Sequence, residues 1–325
     1  VNQVASPNND LRQITTAGSW VAVDWGTSSL RAWLIDENGV TQNSAKSTQG
    51  AGTLQPSEFE GVLLDLIGDW LHSNAKPTQV FICGMAGSRQ GWLEAEYVPV
   101  PTKLTELHQH LVSPKTGNAR ILPFIVPGLC QKSEQQPDVM RGEETLLLGI
   151  LDELSNKSGV FCLPGTHSKW VEMEEGTVAR TSTFLSGELF ALIAKQSILR
   201  HSLETEAELD KDVFLATLDQ LKNQEATLLG NLFGLRAGQL LNNTSLQAGA
   251  SKLSALVIGT ELLDMLAKCG DNPPKQVHLV GGSKLAQNYA LALQHLGITP
   301  ILHDADKAAL KGLFAVRQGA LNDNS

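Results

Sequence analysis

Apolar positions along the chain fall into runs that alternate with polar turns, and the first of these is the most telling. Trp20-Val-Ala-Val-Asp24-Trp25 and Leu30-Arg-Ala-Trp-Leu-Ile35 flank the polar stretch Gly26-Thr-Ser-Ser29, and a second turn follows at Asn38-Gly39. This predicts a β-hairpin and a third strand from Val40 onward. Helical spacing follows at Phe59, Val62, Leu63, Leu66, Ile67 and Trp70, and the strand Gln79–Cys83 runs into Gly84-Met-Ala-Gly87. A helix is predicted over Glu143–Leu154. The opening pattern then returns, because Gly159-Val-Phe-Cys-Leu-Pro-Gly-Thr-His-Ser-Lys-Trp-Val-Glu172 again reads strand, Gly-Thr turn, strand. Helices are predicted over 187–201, 210–221 and 253–267, and a last β-α unit over Gln276–Ser283 and Lys284–Leu296. One glycine-threonine hairpin near the start of each half suggests a duplicated α/β domain with a cleft between the copies.

Composition narrows this picture. The 325 residues suit two domains of ordinary size. With 42% hydrophobic and 18% charged residues, and no apolar run near the roughly 20 residues of a membrane span, the chain reads as globular, with no membrane partner. Residues 1–18 are polar and patternless and read as a disordered leader rather than a signal peptide. Net charge is −9, with Lys and Arg scattered, which argues against nucleic acid as a partner. Cys83, Cys130, Cys162 and Cys269 form no Cys-x-x-Cys pair, so neither a zinc site nor a secreted disulfide framework is expected, and a reducing cytoplasm is. A homodimer is the base-rate expectation.

The hairpins carry the candidate chemistry. In Asp24-Trp-Gly26-Thr27-Ser28, a tight Gly turn lets backbone N–H groups approach phosphate oxygens, and the hydroxyls add donors. A carboxylate ending the strand can hold Mg²⁺ through its water shell. Asp-x-Gly-Ser/Thr alone is weak, with about 0.1–0.2 chance matches expected in such a chain, and a plain β-turn explains it about as well. The second turn, Gly165-Thr166 with Lys169 and His167, lacks the acid and could cradle phosphate without metal. Gly281-Gly282-Ser283 at a strand end allows close approach of a flat nucleotide. Neither a Walker loop nor the full Rossmann fingerprint is present.

Glu143 and Glu144 begin a helix, where the macrodipole favours carboxylates in any case. The sharper reading makes one of them the base that accepts a sugar hydroxyl's proton during phosphoryl transfer. The sequence does not choose between them, and Asp138 stays in reserve. Arg31, His167 and the segment Ser88-Arg89-Gln90-Gly91-Trp92 are candidate substrate contacts, since Arg grips a carboxylate in a two-point fork. An ion pair elsewhere explains each Arg equally well.

Together these segments resemble the 2-dehydro-3-deoxygalactonokinase family, from Val21 almost to the C-terminus. The resemblance rests above all on Arg141-Gly-Glu-Glu-Thr145 and Pro164-Gly-Thr-His-Ser-Lys-Trp170. Gly84-Met-Ala-Gly-Ser88, Ile125-Val-Pro-Gly-Leu129, Ser186-Gly-Glu188 and Ser254-Ala-Leu-Val-Ile-Gly259 add to it. It implies two ribonuclease-H-like domains of the actin-like ATPase fold (sugar kinase/Hsp70/actin) with an interdomain cleft, placed at 19–155 and 156–325. The activity implied is ATP-dependent phosphorylation of 2-dehydro-3-deoxy-D-galactonate at its 6-hydroxyl, with Mg²⁺. Asp24 would position the metal. Gly26, Thr27 and the Gly165-Thr166 turn would hold phosphates, and Gly281 and Gly282 would face adenosine. The Gly-Glu-Glu segment also resembles exopolyphosphatases, where a Glu is catalytic. Two departures stand out: Leu163-Pro164 replaces the Asp many superfamily members carry in the second hairpin, and Ser29 stands where Asn is expected. A phosphohydrolase of the exopolyphosphatase type and a non-enzymatic sugar-binding regulator are the competing readings.

Overall fold

The structure, a computed structural model, describes residues 13–16, 18–71, 76–270, 272–282 and 284–323. Most of the expected leader, and Ser283 among the candidate site residues, lie outside them. In chain order the strands are β1 Trp20–Trp25, β2 Leu30–Ile35, β3 Thr41–Ser47, β4 Thr78–Gly84, β5 Val98–Pro99, β6 Thr102–Lys103, β7 Ile121–Ile125, β8 Leu129–Gln131, β9 Asp138–Met140, β10 Gly159–Leu163, β11 Ser168–Glu174, β12 Thr177–Phe184, β13 Gln276–Val280 and β14 Thr299–His303. The α-helices are α1 Phe59–Ile67, α2 Glu143–Ile150, α3 Ser186–Gln196, α4 Lys211–Lys222, α5 Leu228–Asn242, α6 Leu246–Lys268, α7 Lys284–His295 and α8 Ala305–Asp323. The chain divides into one unit of residues 1–158, 171–181 and 304–325, and a second of residues 159–170 and 182–303.

In the first unit a five-stranded sheet runs β3-β2-β1-β4-β7. β1 pairs antiparallel with β2 and parallel with β4. All six residues of β1 are buried, as expected of a central strand covered on both faces. On one face Val21, Val23 and Trp25 join Phe59, Leu63 and Ile67 of α1 in a single core cluster. On the other, Trp20 meets Phe314 of α8 at 6.3 Å between ring centroids, and the Arg317 guanidinium lies 5.3 Å from the Trp20 ring centroid. Helix α8 also lies hard against α2. A Cβ at Gly149 would fall 1.8 Å from the Ala308 carbonyl oxygen, and one at Gly312 would fall 1.9 Å from that of Thr145. Only glycine permits that crossing. The described part of the expected leader is tied down here: Ile14 is buried, and the Thr15 carbonyl accepts from Gln79 and Arg317.

In the second unit β10, β13 and β14 are parallel neighbours. Helices α4, α6 and α7 enclose a core that includes Trp170, Phe214, Leu262, Tyr289 and Leu293. A further cluster joins Leu199, Leu203 and Leu235 to Leu253 and Val257 of α6. The 23-residue α6 is buried along most of its length, which makes it the spine of this unit. Helix α5 is absent from the sequence reading because its apolar residues occupy both faces and three glycines interrupt them, so no 3.6-residue stripe stands out. It is a well-formed helix nonetheless: Thr227 Oγ1 accepts from the Gly230 amide at 3.2 Å, and Asn243 closes it in the left-handed conformation.

Candidate active site

Asp24 and Arg31 face each other across the first hairpin, and the guanidinium donates both to Asp24 and to Asp306, from α8. Lys46 on β3 also reaches Asp306, at 3.1 Å. Burial raises the Asp24 carboxyl above the usual range, Arg31 opposes that shift, and Asp306 adds to it. The turn is held by backbone contacts. The Gly26 amide donates to the Ser29 carbonyl at 2.9 Å, and the Ala51 and Gly52 amides donate to the carbonyls of Gly26 and Thr27 at 2.9 Å each. A Cβ at Gly50 would sit 2.3 Å from the Thr27 carbonyl oxygen, so glycine is required where this segment backs the turn. Thr27 and Ser28 are left exposed. Thr27 lines a recess of about 490 Å³ with Gly52, Gln55, Met85, Ser88 and Gln90.

The remaining substrate candidates of this unit separate. Ser88 is in the recess. Arg89 is exposed and pairs with Glu94 at 3.3 Å. Trp92 packs into the core, stacked on Phe59 at 6.4 Å and edge-on to Trp25. Arg31 is engaged by two carboxylates of its own unit.

Helix α2 begins beside the end of β4. Gly84 (φ +90°) and Gly142 (φ +105°) both occupy the left-handed region, and a Cβ on Gly142 would lie 3.2 Å from Gly84 Cα. Glu143 is half-buried, and one of its oxygens accepts from the Arg141 amide at 2.9 Å. Glu144 is fully buried and accepts from the Gly142 amide at 2.7 and 3.0 Å and from Thr145 Oγ1 at 3.0 Å. Burial, then the neighbouring Glu143, pushes the Glu144 carboxyl up to about 8. The buried Cys83 thiol lies within the fields of both Asp24 and Glu144, and burial chiefly raises it too. Asp138, the reserve candidate, is on β9, where one carboxylate oxygen accepts from the Val139 amide at 2.8 Å.

In the second unit the Gly165-Thr166 turn packs against the start of α3. A Cβ at Gly187 would lie 2.2 Å from the Gly165 carbonyl oxygen, and the Glu188 amide donates to the Thr166 carbonyl at 2.8 Å. His167 pairs with Glu188 at 2.7 Å, and Lys169 is buried with its Nζ on Thr183 Oγ1 at 2.9 Å. The turn and the start of α3 open onto a cavity of about 650 Å³, lined also by Ser254, Lys284, Asn288 and Tyr289. Gly281 and Gly282 follow β13 just before α7, whose first turns line this cavity; the Gly281 amide donates to the His303 carbonyl at 3.0 Å.

Sequence reasoning missed the group that organises this wall. Glu261 of α6 is buried and accepts four hydrogen bonds: from Ser168 Oγ, Trp170 Nε1 and Tyr289 Oη, each at 2.7 Å, and from Ser186 Oγ. One carboxyl group thereby ties together the strand after the Gly165-Thr166 turn, the start of α3, and α7. Burial, and secondarily Glu261, raise the Tyr289 phenol well above its ordinary value. The signal in the sequence is weak, because Glu261 is one of two acids, with Asp264, inside the mostly apolar run Leu253–Leu266, which reads first as an ordinary helix.

The profile of the 2-keto-3-deoxy-galactonokinase family matches residues 24–316. The chain is 39% identical over 315 residues to the Probable 2-dehydro-3-deoxygalactonokinase of Rhizobium meliloti (strain 1021), covering 93% of this chain and 97% of the relative. It is 31% identical over 303 residues to the 2-dehydro-3-deoxygalactonokinase of Escherichia coli (strain K12), covering 93% and 99%. A crystal structure from Sinorhizobium meliloti, assigned to the same kinases, superposes with a TM-score of 0.83 at 38% identity, over 91% of this chain and 97% of that one. The ligand-bound xylulose kinase of Lactobacillus acidophilus, at 10% identity and a TM-score of 0.50 over 93% and 89%, shares the fold alone. The architecture is the actin-like, sugar-kinase fold, and the chain belongs to the 2-keto-3-deoxy-galactonokinase family.

Proposed function

We propose that the protein transfers the γ-phosphoryl group of ATP to the 6-hydroxyl of 2-dehydro-3-deoxy-D-galactonate. The observation that carries this reading is the second unit's cavity. Its volume lies in the range of small-molecule sites, and it opens where the Gly165-Thr166 turn meets the start of a helix, a place suited to phosphate. The first unit supplies the acceptor side, with the sugar acid in the recess of Thr27, Gln55, Ser88 and Gln90.

Within this reading Glu143 is the base. A general base must reach the hydroxyl whose proton it takes. Glu143 keeps surface exposure while Glu144 is sealed and spends its oxygens on Gly142 and Thr145. Asp24 is the candidate for Mg²⁺ held through water: it precedes the Gly26 turn, steadied by the guanidinium of Arg31 that it shares with Asp306, and such an ion keeps most of its hydration. Among the described residues no cluster of three or more His, Cys, Asp or Glu offers direct coordination. A divalent ion here would neutralise charge on the transferring phosphates. The hydroxyls of Thr27, Ser28 and Thr166 are free to face phosphate oxygens.

A coupled ADP assay across a panel of sugar acids tests the proposal. With Mg-ATP, ADP should form only when the 2-keto-3-deoxy acid is present. Equal ADP release without any sugar would replace the kinase reading with a hydrolase.

A further inference from the structure

Helix α5 is apolar on the side that faces solvent as well as on the side that faces the core. Inward, Leu228, Leu232 and Leu235 pack into the cluster with Leu253 and Val257. Outward, Leu229 is 82% exposed, Phe233 70%, Leu240 58% and Leu241 80%. Gly230, Gly234 and Ala237 lie between them. At 3.6 residues per turn these seven positions fall within one arc of about 140°, and none is charged or polar. A surface helix ordinarily puts charged residues on that side, and a contiguous apolar patch of this kind marks an interaction site.

We propose that this stripe is the self-association surface of the protein, pairing α5 with α5 of a second copy about a two-fold axis. Three features favour a second copy over a foreign partner. First, the stripe is self-complementary. Phe233, Leu229 and Leu240 are protrusions, while Gly230, Gly234 and Ala237 form a shallow groove, with open space above Gly234. A two-fold pair sets each protrusion into the other copy's groove, as an isologous interface requires. Small residues also let the helix axes approach closely. Second, the chain carries a net charge of −9, so two copies repel unless they meet at an uncharged face, and this face is uncharged. Third, the area suffices. Four large side chains at these exposures offer roughly 500 Å² per copy, hence on the order of 1,000 Å² for the pair, the threshold of a specific interface.

Sedimentation velocity on the full chain at micromolar concentrations tests this. The wild type should sediment at twice the chain mass. Phe233→Glu, which places a charge against its symmetry mate, should raise the dissociation constant by at least ~100-fold. Gly234→Leu fills the groove while favouring the helix, and should act in the same direction, so it decides the matter if the first variant fails to fold by circular dichroism. Val40→Glu, at an exposed apolar position of the first unit, should leave the mass unchanged. A wild type that stays monomeric overturns the proposal, as does a dimer indifferent to both α5 variants or one dissociated equally by Val40→Glu.

Discussion

The two glycine-threonine hairpins are built alike and anchored differently. Each is backed by a glycine with no room for a Cβ, Gly50 behind the first and Gly187 behind the second, with would-be contacts of 2.3 and 2.2 Å to turn carbonyl oxygens. At the first hairpin the anchoring charge sits within the hairpin, where Asp24 opposes Arg31 and Asp306 shares the guanidinium. At the second the hairpin carries no acid before its turn. The anchoring carboxyl comes instead from Glu261 on a helix 93 residues from Ser168 in sequence, and it receives neutral donors. Both acids are buried, and the difference lies in their partners: Asp24 receives a guanidinium, whereas Glu261 receives four neutral donors. On the proposed function, the first turn would serve the metal and the second the nucleotide phosphates.

The largest expected effect concerns the acid beside the first hairpin. Glu143→Gln should lower kcat by about 10²–10⁴ with little change in stability, while Glu144→Gln, which keeps the shape of a protonated carboxyl, should retain most activity. Steady-state kinetics on both variants decides it, and the reverse ranking would reassign the base. Next comes the anchor of the second hairpin. Glu261→Ala strands four buried donors and should cost ~3–5 kcal/mol in denaturant unfolding. Glu261→Gln should cost less, because the hydroxyls of Ser186 and Tyr289 can rotate to accept from the new amide, and should raise the KM for ATP more than it lowers kcat. Loss of stability with an unchanged KM would make Glu261 a scaffold residue only.

A smaller effect, in pH dependence, separates the paired glutamates. The Glu144 carboxyl is raised from 4.5 to about 8 in the folded protein, so between those values the native state binds the extra proton. Stability from this group is therefore fully present below about pH 4.5 and falls as pH rises toward about 8, by a few kcal/mol at most. Glu144→Gln should remove that slope from thermal melts taken across the window. An unchanged slope would place its origin elsewhere.

Much of this was legible in the sequence, for a local reason. Both hairpins, α1, α2 and the last β-α unit announce themselves through period-two or period-3.6 patterning and turn residues close in sequence. What was not legible depends on distant contacts. Asp306 joins Arg31 across 275 residues and Glu261 joins Ser168 across 93, and neither acid lies in a motif. The packing of α8 on α2 through Gly149 and Gly312 was equally hidden, since a helical glycine reads as a weakness until its neighbour is known. Trp92, grouped with Ser88 and Arg89 among the substrate candidates, instead completes a stack with Phe59, a contact that no local spacing announces. Helix α5 was lost because a helix apolar on two sides has no periodic signature.

The central claim, that the second hairpin grips the nucleotide and the first serves metal and acceptor, is tested most directly by titrating ADP without metal into the wild type, Gly50→Ala and Gly187→Ala in a calorimeter. Gly187→Ala, which pushes α3 off the Gly165 carbonyl, should weaken ADP at least ~tenfold, about 1.4 kcal/mol, and Gly50→Ala should stay within about threefold of the wild type (under ~0.7 kcal/mol). Equal losses in both variants, or unchanged affinity in Gly187→Ala, would contradict that division of labour.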